Sequence, residues 1–265
     1  MCARPPHPDG VTLVRETQVE HLPALVHLGW VVAFPWLAQG TTTRRSDAAD
    51  FDLGLFSGGS DAGTVRANWA ELASETGFEE VVHARQVHGC EVHVLEGESA
   101  PRSPSSPRLL DPADGHVTDR PGVLLAVTTA DCVPVFVVDE RRRAVGAIHA
   151  GWRGAAAGIL ERALDAMRSG FGSVPDDVHV HLGPAICGSC YEVGPEVFEA
   201  LGLDTPPGPT PIDLRAVLAR RAAGAGVRPS RITVSTHCTR CGTSGLYSHR
   251  GGDAQRQVGY IGIRT

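Results

Sequence analysis

The sequence predicts an α+β fold, with a mixed β-sheet core flanked by helices in one domain over residues 1–265. The chain has 265 residues, 42% of them hydrophobic, which is enough to bury a full core. Strand and helix patterns follow one another without the regular alternation of a parallel α/β fold. Three apolar runs, 123–128, 133–138 and 144–149, are continuous. Such runs are typical of central strands buried on both faces.

Strands are the commoner predicted element in the first half of the chain. β-Branched and aromatic residues between turn-forming residues predict strands over 11–19, 31–34, 80–85 and 91–95. Proline, glycine and histidine interrupt the apolar segment 22–38, which we interpret as strand and turn and not as a membrane span.

Helical periodicity alternates with strand patterns in the remainder. Apolar residues recur on one helical face over 62–76 and 155–167. The segment 99–112, rich in proline, serine and arginine, predicts an exposed loop, and residues 1–39 carry the least information. Further helices are predicted over 195–201 and 212–223, and strands over 178–182, 231–235 and 260–263.

Composition excludes several classes of protein. The 24 basic and 30 acidic residues give a net charge of −6, so no strongly basic surface for nucleic acid is expected. We expect no membrane span and no signal peptide. Every basic residue is arginine, which excludes lysine Schiff-base chemistry and a Walker-type phosphate loop. An odd count of seven cysteines favours reduced thiols in a cytoplasmic protein.

Polar residues able to bind metal stand at the ends of three predicted strands. They are His88 in Gln-Val-His-Gly, Cys132 in Ala-Asp-Cys-Val-Pro, and His149 in His-Ala-Gly-Trp-Arg-Gly. Two histidines and one cysteine with a fourth position open are typical of a catalytic zinc site. The ligands are 44 and 17 positions apart, which matches no short metal motif. A packed cysteine and ordinary hydrogen-bonding histidines therefore remain open on spacing alone.

These segments, in this order, resemble the laccase-domain family. Further matching segments are Gly-Pro-Ala-Ile from Gly183, Cys-Tyr-Glu-Val-Gly from Cys190, and Cys-Thr-Arg-Cys from Cys238. The family was formerly called multi-copper polyphenol oxidoreductases and is now described as zinc-dependent purine nucleoside phosphorylases, with adenosine deaminase and methylthioadenosine phosphorylase activities. Bacterial members are also called peptidoglycan editing factors. The resemblance extends from about Gly40 to the C-terminus.

The resemblance implies zinc held by His88, Cys132 and His149, and a fold once grouped with putative cysteine hydrolases. The implied substrates are a purine nucleoside and phosphate. The chain departs from the family at several positions. Asp52 stands in place of an asparagine, Trp69 in place of an arginine, and the family's C-terminal Phe-Phe-Ser-Tyr-Arg-Arg is Leu-Tyr-Ser-His-Arg-Gly from Leu246, which places His249 at the tyrosine. If these residues contact substrate, base preference or rate is expected to differ.

Arginines are the candidate phosphate ligands, because a guanidinium binds phosphate through two parallel hydrogen bonds. The candidates are Arg44, Arg153 and Arg250, of which Arg153 is favoured by its position at the start of a predicted helix. For deamination, zinc lowers the pKa of a bound water, and Asp131 beside Cys132 is the candidate proton shuttle. In a continuous strand Asp131 would face away from Cys132. It could instead orient a histidine ligand.

Three alternatives remain open. A copper-dependent polyphenol oxidase would use Cu²⁺, with His179 and His181 or the pair His237-Cys238 as candidate ligands, although we favour a strand-surface position for His179 and His181. A hydrolase acting on peptidoglycan precursors would use Cys132 as nucleophile and His149 as base. Finally, two Cys-x-x-Cys pairs could form a second metal site or a redox pair, although ordinary buried thiols are favoured: Cys187/Cys190 and Cys238/Cys241.

Overall fold

The computed structural model describes residues 7–19, 21–45, 50–97 and 106–265. Within these ranges there are six α-helices and sixteen strands. The helices are α1 (Leu28–Ala33), α2 (Ala62–Thr76), α3 (Trp152–Ala156), α4 (Ile159–Phe171), α5 (Pro195–Ala200) and α6 (Leu214–Gly224). In the described part of the chain, no helix combines the length and apolar character needed to cross a bilayer.

The strands form two large mixed sheets and one two-stranded ribbon. The strand bounds are β1 (Thr12–Val14), β2 (Thr17–Gln18), β3 (Ala24–Val26), β4 (Leu37–Thr42), β5 (Glu80–Ala84), β6 (Val92–Leu95), β7 (Arg108–Leu110), β8 (Gly115–Thr118), β9 (Val123–Thr129), β10 (Val133–Asp139), β11 (Ala144–Ala150), β12 (Val178–Leu182), β13 (Glu192–Val193), β14 (Thr210–Pro211), β15 (Ile232–Ser235) and β16 (Gln257–Ile263). The first sheet has the order β1-β15-β12-β10-β11-β8-β6, the second has the order β2-β3-β4-β16-β9-β5-β7, and β13 pairs with β14.

The two large sheets pack face to face, and helices cover their outer faces. On β10, Val135 and Val137 pack with α4 and α6, whereas Phe136 and Val138 pack between the sheets. On β9, Leu125 faces the same layer between the sheets, and its neighbours face α2. Alternate side chains of one strand therefore fill two different cores, which explains the continuous apolar runs. The predicted α+β class is confirmed, with two large sheets where one was expected.

The predicted strand over residues 31–34 is wrong, because these residues belong to α1 and its C-terminal cap. The Nδ1 atom of His27 accepts a hydrogen bond from the backbone N–H of Trp30 and so caps the helix. Trp30 is buried, while the side chains of Val31 and Val32 face solvent. Burial of the indole thus outweighs the strand preference of the two valines.

Three other predicted segments differ from the structure in their details. The predicted helix over 155–167 is broken into α3 and α4 at Gly158, whose φ of +81° lies in the left-handed region. The predicted strand over 11–19 is divided into β1 and β2, which belong to different sheets. Of the predicted loop over 99–112, residues 99–105 lie outside the described residues, and Arg108–Leu110 form a strand that pairs with β5.

Two buried histidines are expected to make stability depend on pH. Burial, together with the neighbouring His83 and His93, lowers the pKa of His116 to about 3, although Asp114 opposes this shift. Neither ring nitrogen of His116 has a hydrogen-bond partner among the described residues. Burial likewise lowers the pKa of His83 to about 4. An unfolded histidine titrates near 6.5, so acid protonates the unfolded chain first.

The stability contributed by these two neutral histidines should therefore be fully present above about pH 6.5 and be lost as the pH falls through about 4 for His83 and about 3 for His116. At pH 4.5 the loss contributed by His116 should be about 2 to 3 kcal/mol, from about 1.4 kcal/mol per pH unit. Denaturant unfolding of His116→Leu at pH 7.5 and pH 4.5 should show a shallower pH dependence than the unsubstituted protein. The exposed His21→Gln is the control, and equal slopes for His116→Leu and the unsubstituted protein would contradict the assignment.

Candidate functional site

The three predicted metal ligands meet at one edge of the two packed sheets. Cys132 lies in the turn between β9 and β10, and His149 lies near the end of β11. Antiparallel pairing of Val133 with Ala150 places the start of β10 beside the end of β11. His88 comes from the loop after β5, which belongs to the opposite sheet. Ligands that are distant in sequence are thus brought together by strand pairing and by sheet packing.

Their donor atoms are arranged so that one metal ion could be held among them. The ligand atoms of His88, Cys132 and His149 all lie within 4.8 Å of one another. The two imidazole rings are 4.9 Å apart and nearly perpendicular. A Cβ on Gly151 would lie 3.1 Å from both the Cys132 Sγ and the His88 ring, so this glycine leaves the space that the ligands occupy. Two nitrogens and a sulfur are donors that zinc accepts.

Asp114 orients two of the three predicted ligands, and no sequence signal marked it. Its carboxylate accepts a 2.8 Å hydrogen bond from His149 Nδ1–H, which leaves His149 Nε2 available to a metal. The same carboxylate accepts hydrogen bonds from the backbone N–H groups of Val87, His88 and Gly89. These bonds hold His88 at a φ of +59°, a conformation uncommon for residues other than glycine.

The ligand loop is also attached to the neighbouring strand. The side-chain oxygen of Gln86 accepts hydrogen bonds from the backbone N–H and the hydroxyl of Thr128, and its amide donates to the carbonyl of the same residue. A Cβ on Gly154 would come within 2.8 Å of the Gly89 carbonyl oxygen. Gln86 of the Gln-Val-His-Gly motif and Gly154 of the His-Ala-Gly-Trp-Arg-Gly motif therefore have structural roles next to the predicted metal ligands.

Cys132 and His149 stabilise each other's charged forms. Burial raises the pKa of the Cys132 thiol, but His149 and His88 outweigh it and lower that pKa to about 6. Burial lowers the pKa of His149, but the Cys132 thiolate and Asp114 outweigh it and raise that pKa to about 9. Both pKa shifts favour a thiolate beside an imidazolium, and a bound cation would take the place of the Nε2 proton of His149.

The three predicted metal-binding residues, His88, Cys132 and His149, line the wall of a pocket of about 440 Å³. This volume suits a small organic ligand. Its wall combines aromatic side chains with arginines and the three ligands. The lining residues are Gly54, Phe56, Ser57, Gln86, His88, Thr128, Thr129, Ala130, Asp131, Cys132, His149, Gly151, Trp152, Arg153, Ile186, Tyr191, Leu214, His249, Arg250 and Arg256.

Two of the three predicted phosphate arginines line this pocket. Arg153 is exposed near the start of α3 and forms no salt bridge within the described ranges. The Arg250 guanidinium lies 5.3 Å from the Tyr191 ring and donates to the Glu192 carbonyl. Arg44 does not line the pocket, because its guanidinium pairs with Asp253 and stacks over Tyr247. We therefore leave Arg44 out of the phosphate site.

The carboxylate of Asp131 accepts hydrogen bonds from the segment that contains Thr239, Ser248 and Arg250. One oxygen accepts hydrogen bonds from the hydroxyls of Thr239 and Ser248, and the other accepts from the backbone N–H of Arg250. The strand has ended at Thr129, and Asp131 adopts a φ of +89° in the turn. The hydrogen-bond partner of His149 Nδ1 is Asp114 and not Asp131. We assign Asp131 to positioning of the loop that carries Arg250, in place of the predicted proton shuttle.

The departures at Asp52, Trp69 and His249 fall in two different settings. Asp52 is buried and accepts hydrogen bonds from the backbone N–H groups of Gly54, Ser60 and Arg256. The Trp69 indole donates to a backbone carbonyl of the same loop. Neither residue lines the pocket, so their effect on substrate is indirect. Only His249 lies in the pocket wall.

Among the described residues, His179, His181 and His237 belong to neither group of potential metal ligands, although His181 and His237 both contact the Glu16 carboxylate. His181 bonds to the Glu16 carboxylate and to Thr233, and it is fully buried, so the predicted surface position is wrong for this residue. His179 packs edge-on against Phe34. His237 donates to the Glu16 carbonyl.

The four cysteines of the two Cys-x-x-Cys pairs do converge. Their sulfurs form a second cluster within 4.8 Å. Cys187 and Cys238 are buried, as preferred, whereas Cys190 is half-buried and Cys241 is exposed.

Comparison with known proteins shows similarity in both sequence and fold. The sequence profile described as "Multi-copper polyphenol oxidoreductase laccase" matches residues 37–264. A Geobacillus stearothermophilus protein named purine nucleoside phosphorylase YlmD is 32% identical over 87% of this chain and 92% of its own length. The crystal structure of YlmD from the same species has a TM-score of 0.81, covering 95% of this chain and 100% of that one.

Two further relatives have names that indicate purine chemistry. A Mycobacterium tuberculosis protein named purine nucleoside phosphorylase is 39% identical over 79% of this chain and 85% of its own length. A protein named adenosine deaminase RL5, from an unknown prokaryotic organism, is 34% identical over 72% of this chain and 78% of its length. The sequence profile, the relatives and the shared fold together place this chain in the laccase-like multi-copper polyphenol oxidoreductase family.

Proposed function

We propose that this chain is a zinc-dependent purine nucleoside enzyme. It would phosphorolyse adenosine, inosine, guanosine and methylthioadenosine, and it would also deaminate adenosine. The observation that carries the proposal is the convergence of His88, Cys132 and His149 on the wall of a pocket that also contains Arg153 and Arg250. Relatives named purine nucleoside phosphorylase and adenosine deaminase support the substrate class.

His88, Cys132 and His149 would hold the metal, and the choice of zinc rests on their donor chemistry. A thiolate with two imidazoles suits zinc better than the oxygen-preferring divalent ions. When bound, zinc would supply Lewis acidity at the pocket wall.

Phosphorolysis requires that phosphate and the ribose of the nucleoside be held together. A phosphate oxygen bonds to C1′ of the ribose, the C1′–N9 bond breaks, and the purine leaves with the electron pair and takes up a proton. Arg153 and Arg250 would hold the phosphate dianion by charge-assisted hydrogen bonds. The aromatic rings of Phe56, Trp152 and Tyr191 line the same pocket and offer faces for the purine.

Deamination uses the same pocket with water in place of phosphate. Water and adenosine give inosine and ammonia. Asp131 would act on both reactions indirectly, since it holds the turn that carries Arg250.

The test is adenosine turnover by protein purified without added metal, measured with and without phosphate. We expect zinc in the protein by elemental analysis. Free adenine and ribose 1-phosphate should form only with phosphate, whereas inosine should form in either case. Protein that contains bound zinc yet releases neither base nor ammonia would refute the proposal.

Arg153→Ala should raise the KM for phosphate. A hydrogen bond to a charged group contributes about 1.5–3 kcal/mol, so the expected rise is roughly 10- to 100-fold. Deamination without phosphate should change much less. The control is Arg66→Ala, an exposed arginine on α2. An equal loss in both reactions would indicate that Arg153 has a structural role instead.

A second candidate is a thiol hydrolase acting on peptidoglycan precursors. The observation that favours it is the chain of contacts from Cys132 to His149 to Asp114, which resembles a nucleophile, a base and an orienting carboxylate. Metal removal distinguishes the two functions. Chelation should abolish nucleoside turnover, whereas it should increase hydrolysis by a free thiolate.

A further inference from the structure

Four cysteines outside the substrate pocket form a compact cluster. Cys187 and Cys190 lie in the segment after β12, and Cys238 and Cys241 lie in the segment after β15. Although 47 residues separate Cys190 from Cys238, all four sulfur atoms lie within 4.8 Å of one another. Each pair has the Cys-x-x-Cys spacing found in closed zinc sites.

Strand topology explains why the two segments meet. β12 and β15 are parallel neighbours in the first sheet, so the chain leaves both strands at the same edge. The pairing continues beyond the strands as a bridge between Ala185 and Cys238. The backbone N–H of Thr239 also donates to the Ala185 carbonyl. The cluster is therefore held by the backbone as well as by the cysteines.

The sulfur atoms are close enough together to surround one metal ion, since all lie within 4.8 Å of one another. The Sγ atoms of Cys187 and Cys241 are 3.8 Å apart, well beyond the ~2.05 Å of a disulfide. Four sulfurs about 2.3 Å from a central zinc lie about 3.8 Å from one another. The Cys238 sulfur accepts hydrogen bonds from the backbone N–H groups of Cys187 and Cys241. Such bonds stabilise negative charge on a metal-bound thiolate.

We propose that Cys187, Cys190, Cys238 and Cys241 bind a second zinc ion as a closed tetrathiolate site. Each thiol that is still protonated would lose its proton on binding, and four thiolates around Zn²⁺ leave a charge of −2. The neighbouring guanidinium of Arg240, which donates to the Cys190 carbonyl, partly offsets this charge. No ligand position is left for substrate, so the site is structural.

This site would brace one wall of the pocket. Ile186 and Tyr191, which flank the first cysteine pair, both line the pocket. Thr239, between the second pair, donates its hydroxyl hydrogen to the Asp131 carboxylate. A single ion would therefore add a link between two segments that already meet at the Ala185–Cys238 bridge, and would stabilise the fold around the pocket.

Zinc stoichiometry of separately disrupted sites tests the proposal without reference to activity. The unsubstituted protein should contain two zinc ions per chain. Cys190→Ser/Cys241→Ser should contain one, retained at the pocket, and should unfold at a lower temperature. His88→Ala/His149→Ala should also contain one, held by the four cysteines. Cys90→Ser, a half-buried cysteine outside both clusters, is the control and should retain two.

Cobalt substitution of His88→Ala/His149→Ala gives an independent readout. Its spectrum should show the strong sulfur-to-cobalt charge transfer of a tetrathiolate, and Cys190→Ser/Cys241→Ser should lack that intensity. A His88→Ala/His149→Ala variant that folds but contains no zinc would overturn the proposal. Iron with sulfide, or a Cys187–Cys241 disulfide found by mass spectrometry, would overturn it as well.

Discussion

Replacement of His149 by alanine is expected to remove the pocket metal and to abolish both proposed reactions. His149 is the most deeply buried of the three ligands, and its ring bridges Asp114 and the Cys132 sulfur. Lewis-acid stabilisation is worth several kcal/mol, and a loss of about 4 kcal/mol corresponds to a fall of roughly 10³-fold in kcat/KM. Rates with adenosine and inosine, together with zinc content, measure the effect.

His179→Ala is the matched control for this substitution. His179 is a partly buried strand histidine in the same sheet, but it lies outside both clusters of potential metal ligands. Its replacement should leave zinc content and turnover near those of the unsubstituted protein, whereas copper chemistry based on His179 would predict a loss. Full nucleoside turnover by His149→Ala would contradict the site assignment.

Asp114→Asn is expected to weaken metal binding by roughly 10- to 100-fold, the usual effect of losing a carboxylate that orients a ligand histidine. The carboxylate accepts from His149 and from three backbone N–H groups of the loop that carries His88. An asparagine has one acceptor oxygen, so its amide N–H would face some of these donors. Chelator competition measures zinc affinity, and kcat is then measured with saturating zinc.

Asp139→Asn controls for the loss of a buried carboxylate. Asp139 is equally buried, and it lies at the end of β10 that is remote from Cys132. Its carboxylate accepts hydrogen bonds from the backbone N–H groups of Arg141 and Arg142. The Asp139→Asn substitution should lower the free energy of unfolding without changing zinc affinity. If both variants lose affinity to the same extent, Asp114 acts only through the fold.

Helix α2 was predicted with the correct bounds because the residues that start and end it are its immediate neighbours in the sequence. Helix α2 spans residues 62–76 as predicted, because Asp61 caps its start and Gly77, in the left-handed conformation, ends it. The central strands were recognisable because each buries both faces, so every residue carries the apolar signal. The short strand Arg108–Leu110 was missed because it lies in a segment whose composition is that of a loop.

The sequence alone determined the fold class, the family and the three residues that could bind a metal at the pocket. These features depend on local pattern, since apolar runs mark strands and reactive side chains stand at their ends. Only the tertiary structure decided which polar groups meet. Asp114 became the partner of His149, Asp131 was turned toward Ser248 and Thr239, and the four distant cysteines were gathered into one cluster. Hydrogen bonds and metal sites depend on distances of about 3 Å between chain segments, and sheet pairing sets those distances.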